Sequence, residues 1–272
     1  MKYKLIVSDF DGTLAYKYVV SQPVVDAIKK YRKQGGKFVL CTGRHRLSAR
    51  AVIKSNGFET DGVVSLQGAY AETNGVEIVN GGIDKKIVYE IVNFIHTFGV
   101  KVCLWQDDNL YYEDDKTCVE YAGYFGAVGV TAKPINNVNE ILTNNVKVYN
   151  KIIVSKTPID VFDKIISLVN EKFGAEVVAN SGAPQLVEIV SNKFTKYAST
   201  KKLVEYLGFN ENEVITVGDS TNDLTLLQYG FSIAVDNAEE EVKKVASYIA
   251  PSVQNDAMKF IIEKILAGED FT

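Results

Sequence analysis

Short apolar runs alternate with amphipathic segments over the first third of the chain and again over its last third, and this alternation limits what the chain can fold into. Tyr3 to Val7, Lys37 to Cys41 and Gly62 to Ser65 have the length and composition of buried strands. Between the first two, Val24, Ile28 and Tyr31 recur at helical spacing after Ser21-Gln22-Pro23 and before Gly35-Gly36. That is a helix with a capping serine, a proline in its first turn and a glycine stop. A second helix is predicted from roughly Leu47 to Asn56, closed by Gly57. Strand, helix, strand, helix, strand implies a parallel sheet with right-handed crossovers.

The pattern resumes after Thr195-Lys196. A helix carrying Leu203, Val204 and Leu207 leads to the strand Val214 to Val217, then Phe231 to Val235, a helix from Ala238 to Ala246, an edge strand Tyr248 to Ala250 and a helix from Asp256 to Leu266. The predicted class is therefore α/β, with a Rossmann-like parallel-sheet core split in sequence into residues 1–82 and 187–272. The inserted residues 83–186 read as a second, smaller α/β domain. They hold the helical pattern Val88-Ile91-Ile95, a hairpin turning at Asp107-Asp108-Asn109, the strand Lys151 to Val154, a helix from Pro158 to Phe173 and the strand Glu176 to Ala179. The aromatics Trp105, Tyr111, Tyr112, Tyr121, Tyr124 and Phe125 in this insert are read as packing residues.

Composition removes several function classes. Of 272 residues, 46% are hydrophobic and 24% charged, which supplies ample core. A formal charge of -4 without a long basic block lacks the footprint of a nucleic-acid binder. No apolar stretch approaches membrane-spanning length, and Met1 runs almost directly into a strand without a cleavable signal. Cys41, Cys103 and Cys118 are odd in number and lack metal-type spacing, with Cys41 inside an apolar run. The expectation is a soluble cytoplasmic protein with no nucleic-acid or membrane partner.

In open α/β sheets ligands lie beyond the carboxyl ends of the strands. Asp9, Asp11, Thr42 and Ser65 fall there, as does Gly218-Asp219-Ser220-Thr221-Asn222-Asp223. Within Ser8-Asp9-Phe10-Asp11-Gly12-Thr13-Leu14 two carboxylates stand two residues apart, and in a regular strand such positions face the same way, toward one cation or one reacting group. Taken singly, each stretch has a plainer reading. Asp-Gly and Thr42-Gly43 are turn chemistry, Lys196 is a solvated lysine and Asn222-Asp223 is a helix cap.

Taken together, Asp9-Phe10-Asp11-Gly12-Thr13-Leu14, Thr42-Gly43-Arg44, Lys196 and Gly218 to Asp223 resemble, in order and context, the four motifs of the haloacid dehalogenase superfamily. The insert between the second and third motifs resembles the large α/β cap, type IIB, of its Cof-like sugar-phosphate phosphatases. The resemblance covers essentially the whole chain. It implies a Mg²⁺-dependent phosphatase that hydrolyses small phosphorylated metabolites, sugar phosphates above all, through an aspartyl phosphate. By the same resemblance Asp9 is the nucleophile and Asp11 the general acid and then base. Thr42, Gly43, Arg44, Lys196 and Asn222 serve the phosphate and substrate. Mg²⁺ is held by Asp9, Asp219 and the Asp11 backbone carbonyl, with Asp223 ligating it or orienting its water ligands.

Two other readings use the same residues: a phosphotransferase or mutase with the same intermediate, and a phospholigand-binding regulator without turnover. The chain also departs from the family pattern. Gln67 stands where Asn-Gly-Ala is common, Tyr197 where glycine follows the motif lysine, and Asn255-Asp256-Ala257 where Asp-Gly precedes the last helix. None touches the four chemical parts, so these departures bear on substrate preference. Of the two histidines, His45 and His96, the first reads as a surface residue beside Arg44 or as a substrate contact.

Overall fold

The computed structural model describes residues 1–126 and 129–271. They form two compact units, Met1–Val79 with the chain from Thr195 onward, and Asn80–Phe194. In chain order the first unit begins with β1 (Leu5–Ser8), α1 (Gln22–Lys33), β2 (Lys37–Cys41), α2 (Arg46–Asn56), β3 (Gly62–Ser65), β4 (Tyr70–Thr73) and β5 (Val76–Asn80). The second unit holds β6 (Ile83–Asp84), α3 (Lys85–His96), β7 (Cys103–Gln106), β8 (Asn109–Glu113), α4 (Lys116–Gly126), β9 (Thr131–Ile135), α5 (Glu140–Thr143), β10 (Val148–Tyr149), β11 (Lys151–Val154), α6 (Ile159–Phe173), β12 (Val177–Ala183) and β13 (Leu186–Ser191). The first unit then finishes with α7 (Lys196–Tyr206), β14 (Val214–Gly218), β15 (Phe231–Val235), α8 (Glu240–Val245), β16 (Tyr248–Ala250) and α9 (Ala257–Ala267).

The sheet of the first unit runs β16-β15-β14-β1-β2-β3-β4-β5. All pairings from β16 to β3 are parallel, and β4 reverses direction against β3. β1 and β14 are buried at every position, as parallel strands covered on both faces must be. α1 starts where Ser21 accepts a hydrogen bond from the Val24 N–H, and it buries Val24, Val25, Ile28 and Tyr31. Those side chains share one core with Phe10, Phe38 and Ile261. β4 and β5 are absent from the sequence reading. Asn74-Gly75 turns the chain between them with both residues at positive φ (49° and 79°), the conformation a tight hairpin turn needs.

The second unit carries a six-stranded sheet in the order β12-β13-β11-β7-β8-β9, with β6 and β10 paired apart from it. The apolar faces of α3 (Val88, Ile91, Ile95) and α6 (Ile165, Val169, Phe173) enter one core. β13 pairs on both sides, with β12 and β11, and so stands whole in this unit, whereas the expected 186/187 boundary cuts it after Leu186 and leaves the rest to the core segment. Its buried apolar pattern could serve either sheet, and only the ladder decides. Trp105 is buried, stands edge-on to Phe125 at 4.9 Å and donates to the Tyr121 hydroxyl at 3.4 Å, while Tyr111 meets Tyr149 edge-on at 5.8 Å. These contacts agree with packing roles. The Tyr124 side chain lies outside those described. Among the described residues no helix is long and apolar enough to cross a membrane.

Candidate active site

β1 ends at Ser8, and one further ladder bond, from the Asp9 N–H to the Val217 carbonyl at 2.9 Å, fixes the backbone where Asp9 leaves the sheet. Across β14, the turn after Gly218 folds so that the Asp223 carboxylate accepts the N–H groups of Asp219 (3.0 Å) and Ser220 (3.3 Å). Gly218 is required here because a Cβ would stand 2.6 Å from that of Asp223. Lys196 opens α7, which Thr195 caps by accepting from the Ala198 N–H. Its Nζ donates to Asp9 at 2.8 Å, to Asp223 at 2.5 Å and to the Asn222 side-chain oxygen at 3.3 Å. Lys196 is 1% exposed, Asp9 5% and Asp223 0%, so this lysine is an internal counter-ion and not a solvated one. Burial depresses the ammonium, but Asp223 and Asp9 outweigh it and hold the Lys196 proton well above the ordinary lysine range.

One cation faces three carboxylates. Oxygens of Asp9, Asp219 and Asp223 lie within 4.8 Å of one another. Burial raises the Asp9 carboxyl well above its usual value, and Asp223 adds to the rise. Burial likewise pushes Asp219 up to about 7, against a hydrogen bond from Thr13 and with help from Asp223. An all-oxygen donor set with excess buried negative charge fits a hard divalent cation such as Mg²⁺. Gly12 keeps the space beside Asp219 open. Its φ is +85°, and a Cβ there would fall 2.3 Å from the Asp219 carboxylate.

The charge excess has a measurable consequence. Folded Asp219 keeps its proton up to about pH 7, whereas the unfolded chain releases it near 3.8. Between those values the folded state binds more protons, so stability falls as pH rises, by up to about 4 kcal/mol for this group. In chelator the melting temperature should drop from pH 5 to pH 8, and saturating Mg²⁺ should flatten the slope. A melting temperature independent of pH in chelator would contradict the charge excess.

Asp11 does not join the cluster. The chain leaves the strand before it, the same-face rule no longer applies, and its carboxylate turns to Arg44, which binds it through Nε and Nη2, both at 2.7 Å. Thr42 is buried and its Oγ1 accepts the Arg44 N–H at 3.1 Å. Gly43 lies under Gln67, whose Nε2 would be 2.4 Å from a Cβ at that position. Leu66, Gln67 and Gly68 take successive positive φ values of 53°, 58° and 105°. This bend presses Gly68 onto the start of α7, where a Cβ would meet the Thr195 carbonyl at 2.3 Å and the Ser199 hydroxyl donates to the Gly68 carbonyl at 2.6 Å. The loop after β3 thereby helps to set the position of Lys196.

The other departures also find places. The Tyr197 ring stands edge-on to Tyr229 at 5.8 Å. Asp256 adopts a left-handed conformation (φ 55°), which aspartate tolerates in place of glycine, and accepts the Ser21 hydroxyl at 2.5 Å. His45 is buried and caps α2, its Nδ1 accepting from the Leu47 N–H at 3.3 Å, so the surface reading does not hold. Three supporting residues escape the sequence reading. Thr13 bonds Asp219 at 2.6 Å, Ser220 bonds Asn222 at 3.1 Å, and Asn237 ties the Gly12 carbonyl to the Val253 N–H, both at 2.8 Å. Thr13 sits in the motif itself and could have been found there, whereas nothing local singles out Asn237.

The family described as haloacid dehalogenase-like hydrolase matches residues 6–262. A Haemophilus influenzae protein named "Putative phosphatase" is 28% identical over 97% of this chain and 98% of its own. The Bacillus subtilis 5-amino-6-(5-phospho-D-ribitylamino)uracil phosphatase YwtE is 22% identical over 98% of this chain and 99% of its own. The solved structure of the subclass IIB sugar phosphatase BT4131 has the same fold, with a TM-score of 0.81 at 19% identity over 96% of this chain and 98% of that one. With the motif residues gathered at the carboxyl ends of β1, β2 and β14 and at the start of α7, the chain belongs to the haloacid dehalogenase-like hydrolases.

Proposed function

We propose that this protein is a Mg²⁺-dependent phosphomonoesterase acting on small phosphorylated metabolites, sugar phosphates foremost, through a phosphoenzyme on Asp9. The observation that carries the reading is a carboxylate at the end of the central strand, buried against an internal lysine and beside two further carboxylates. An Asp9 oxygen attacks phosphorus and the bond to the leaving oxygen breaks, while Asp11 delivers a proton to that oxygen. Asp11, now ionised, takes a proton from the water that attacks the aspartyl phosphate, which frees inorganic phosphate and returns Asp9.

Thr42 and the Gly43 N–H bind phosphoryl oxygens, and Asn222 steadies the Lys196 ammonium. Carboxylate and phosphate repel by about 4 kcal/mol per pair of unit charges 4 Å apart at an effective dielectric of 20. Lys196 offsets part of that repulsion. Mg²⁺, held by Asp9, Asp219, Asp223 and the Asp11 carbonyl, would neutralise more of the charge on the transferring group. The inserted unit is the cap of this reading, and the three buried free thiols suit a reducing cytoplasm. Sugar phosphates are favoured because one relative is named for a phosphoribityl substrate and one neighbour as a sugar phosphatase.

A panel of phosphorylated sugars, nucleotides and vitamins, ranked by kcat/KM, tests the substrate class. Chelator should lower turnover at least about 100-fold and added Mg²⁺ should restore it. Undiminished activity in chelator would remove the metal from the scheme, and a best substrate among the nucleotides would remove sugar phosphates. Transfer of the phosphoryl group to an added sugar in preference to water would make the enzyme a phosphotransferase.

A further inference from the structure

The Arg44 guanidinium is committed to Asp11. Nε and Nη2 form a two-pronged pair with both carboxylate oxygens at 2.7 Å, Nη1 donates to the Ser48 hydroxyl at 3.3 Å, and the group lies over the rings of Phe10 (5.3 Å) and Tyr18 (4.9 Å). Its own side chain is 17% exposed, against 47% for that of Asp11. Arg44 is thus the fixed partner. Its backbone is held at both ends, the N–H donating to Thr42 Oγ1 at 3.1 Å and the carbonyl accepting from the Leu66 N–H at 2.9 Å.

We infer that Arg44 is a positioning residue that holds the Asp11 carboxylate for proton transfer, and not a ligand of the phosphoryl group as its place in Thr42-Gly43-Arg44 suggests. A carboxylate offers about four lone-pair sites, and a fork occupies two, one on each oxygen. Each oxygen keeps a site at which a proton can be carried, so the pair fixes the plane of the carboxylate without closing it to chemistry. Without the fork, a half-exposed aspartate beside a glycine at φ +85° would spread over several rotamers, and only a fraction would reach the leaving oxygen. The inference rests on Asp11 being the proton carrier.

The test compares two substrates on the same preparation. p-Nitrophenyl phosphate expels a stable anion and needs little protonation, whereas phenyl phosphate expels a more basic one and needs more. kcat/KM ends at departure of the leaving group, so hydrolysis of the phosphoenzyme does not enter. The ratio of the two values also cancels any loss of folded protein. General acid catalysis contributes about 10²–10⁴-fold. Arg44→Leu should therefore lower kcat/KM for phenyl phosphate at least 10-fold more than for p-nitrophenyl phosphate, with KM for the latter nearly unchanged. Arg44→Lys keeps the charge without the fork and should recover only part of the ratio. Equal losses on both substrates, carried by KM, would make Arg44 a phosphate ligand and overturn the inference, as would no loss on either. Asp11→Asn separates the two layers. If it shows the leaving-group bias and Arg44→Leu does not, the inference falls alone; if Asp11→Asn shows no bias, the acid role of Asp11 falls.

Discussion

Lys196→Met should cost the fold as well as the activity. Methionine approximates the lysine stem, so packing is largely kept, but Asp9 and Asp223 lose the ammonium 2.8 and 2.5 Å away while remaining buried. Removing one partner of a buried ion pair typically costs about 3–5 kcal/mol, because the charge left behind has no solvent. In chelator at pH 7 the melting temperature should fall by roughly 10 °C, and phosphatase turnover should vanish. Lowering the pH to 5 should recover part of the stability, since protonating a carboxylate removes the uncompensated charge. A variant as stable as the parent in chelator would show that Lys196 does not balance this cluster.

Asp9→Asn should do the opposite to stability. The asparagine oxygen can still accept from Lys196, and one of three crowded negative charges is gone, so the melting temperature in chelator should be at least that of the parent. Turnover should fall on the order of 10⁴-fold or more, since an amide cannot form the phosphoenzyme. Steady-state hydrolysis of p-nitrophenyl phosphate, with acid-quench trapping of the labelled phosphoenzyme in the parent, reads both parts. Residual turnover within about 100-fold of the parent would remove Asp9 as nucleophile. The two variants together distinguish a site that trades stability for reactivity from one assembled for packing alone.

The residues that meet around Lys196 were legible because each lies where a buried strand ends or a helix begins, and those boundaries are written in apolar runs and glycines. The direction of Asp11 was not. It follows from β1 stopping at Ser8, one residue before the acidic motif, and strand alternation says nothing beyond that point. His45 escaped because histidine is not among the usual caps, and its burial depends on how α2 meets its surroundings. The hairpin of β4 and β5 carried a signal in Asn74-Gly75 that alternation of apolar residues did not reinforce. β13 shows a different limit: no strand is expected over Leu186–Ser191 from the sequence, and which sheet receives it is settled by pairing with β11 and β12.

The place of β1 between β2 and β14 has a consequence for synthesis of the chain. β2 follows within about 30 residues, but β14 begins about 200 residues after β1 ends. At about 5–20 residues per second, a growing chain carries β1 with one bare, apolar edge for roughly 10–40 s. During that interval the strand that leads to Asp9 is an open template for any other strand in reach. The late arrival of β14 therefore leaves the ribosome-bound half-protein with an open sheet edge, a state in which chaperone capture would protect the chain.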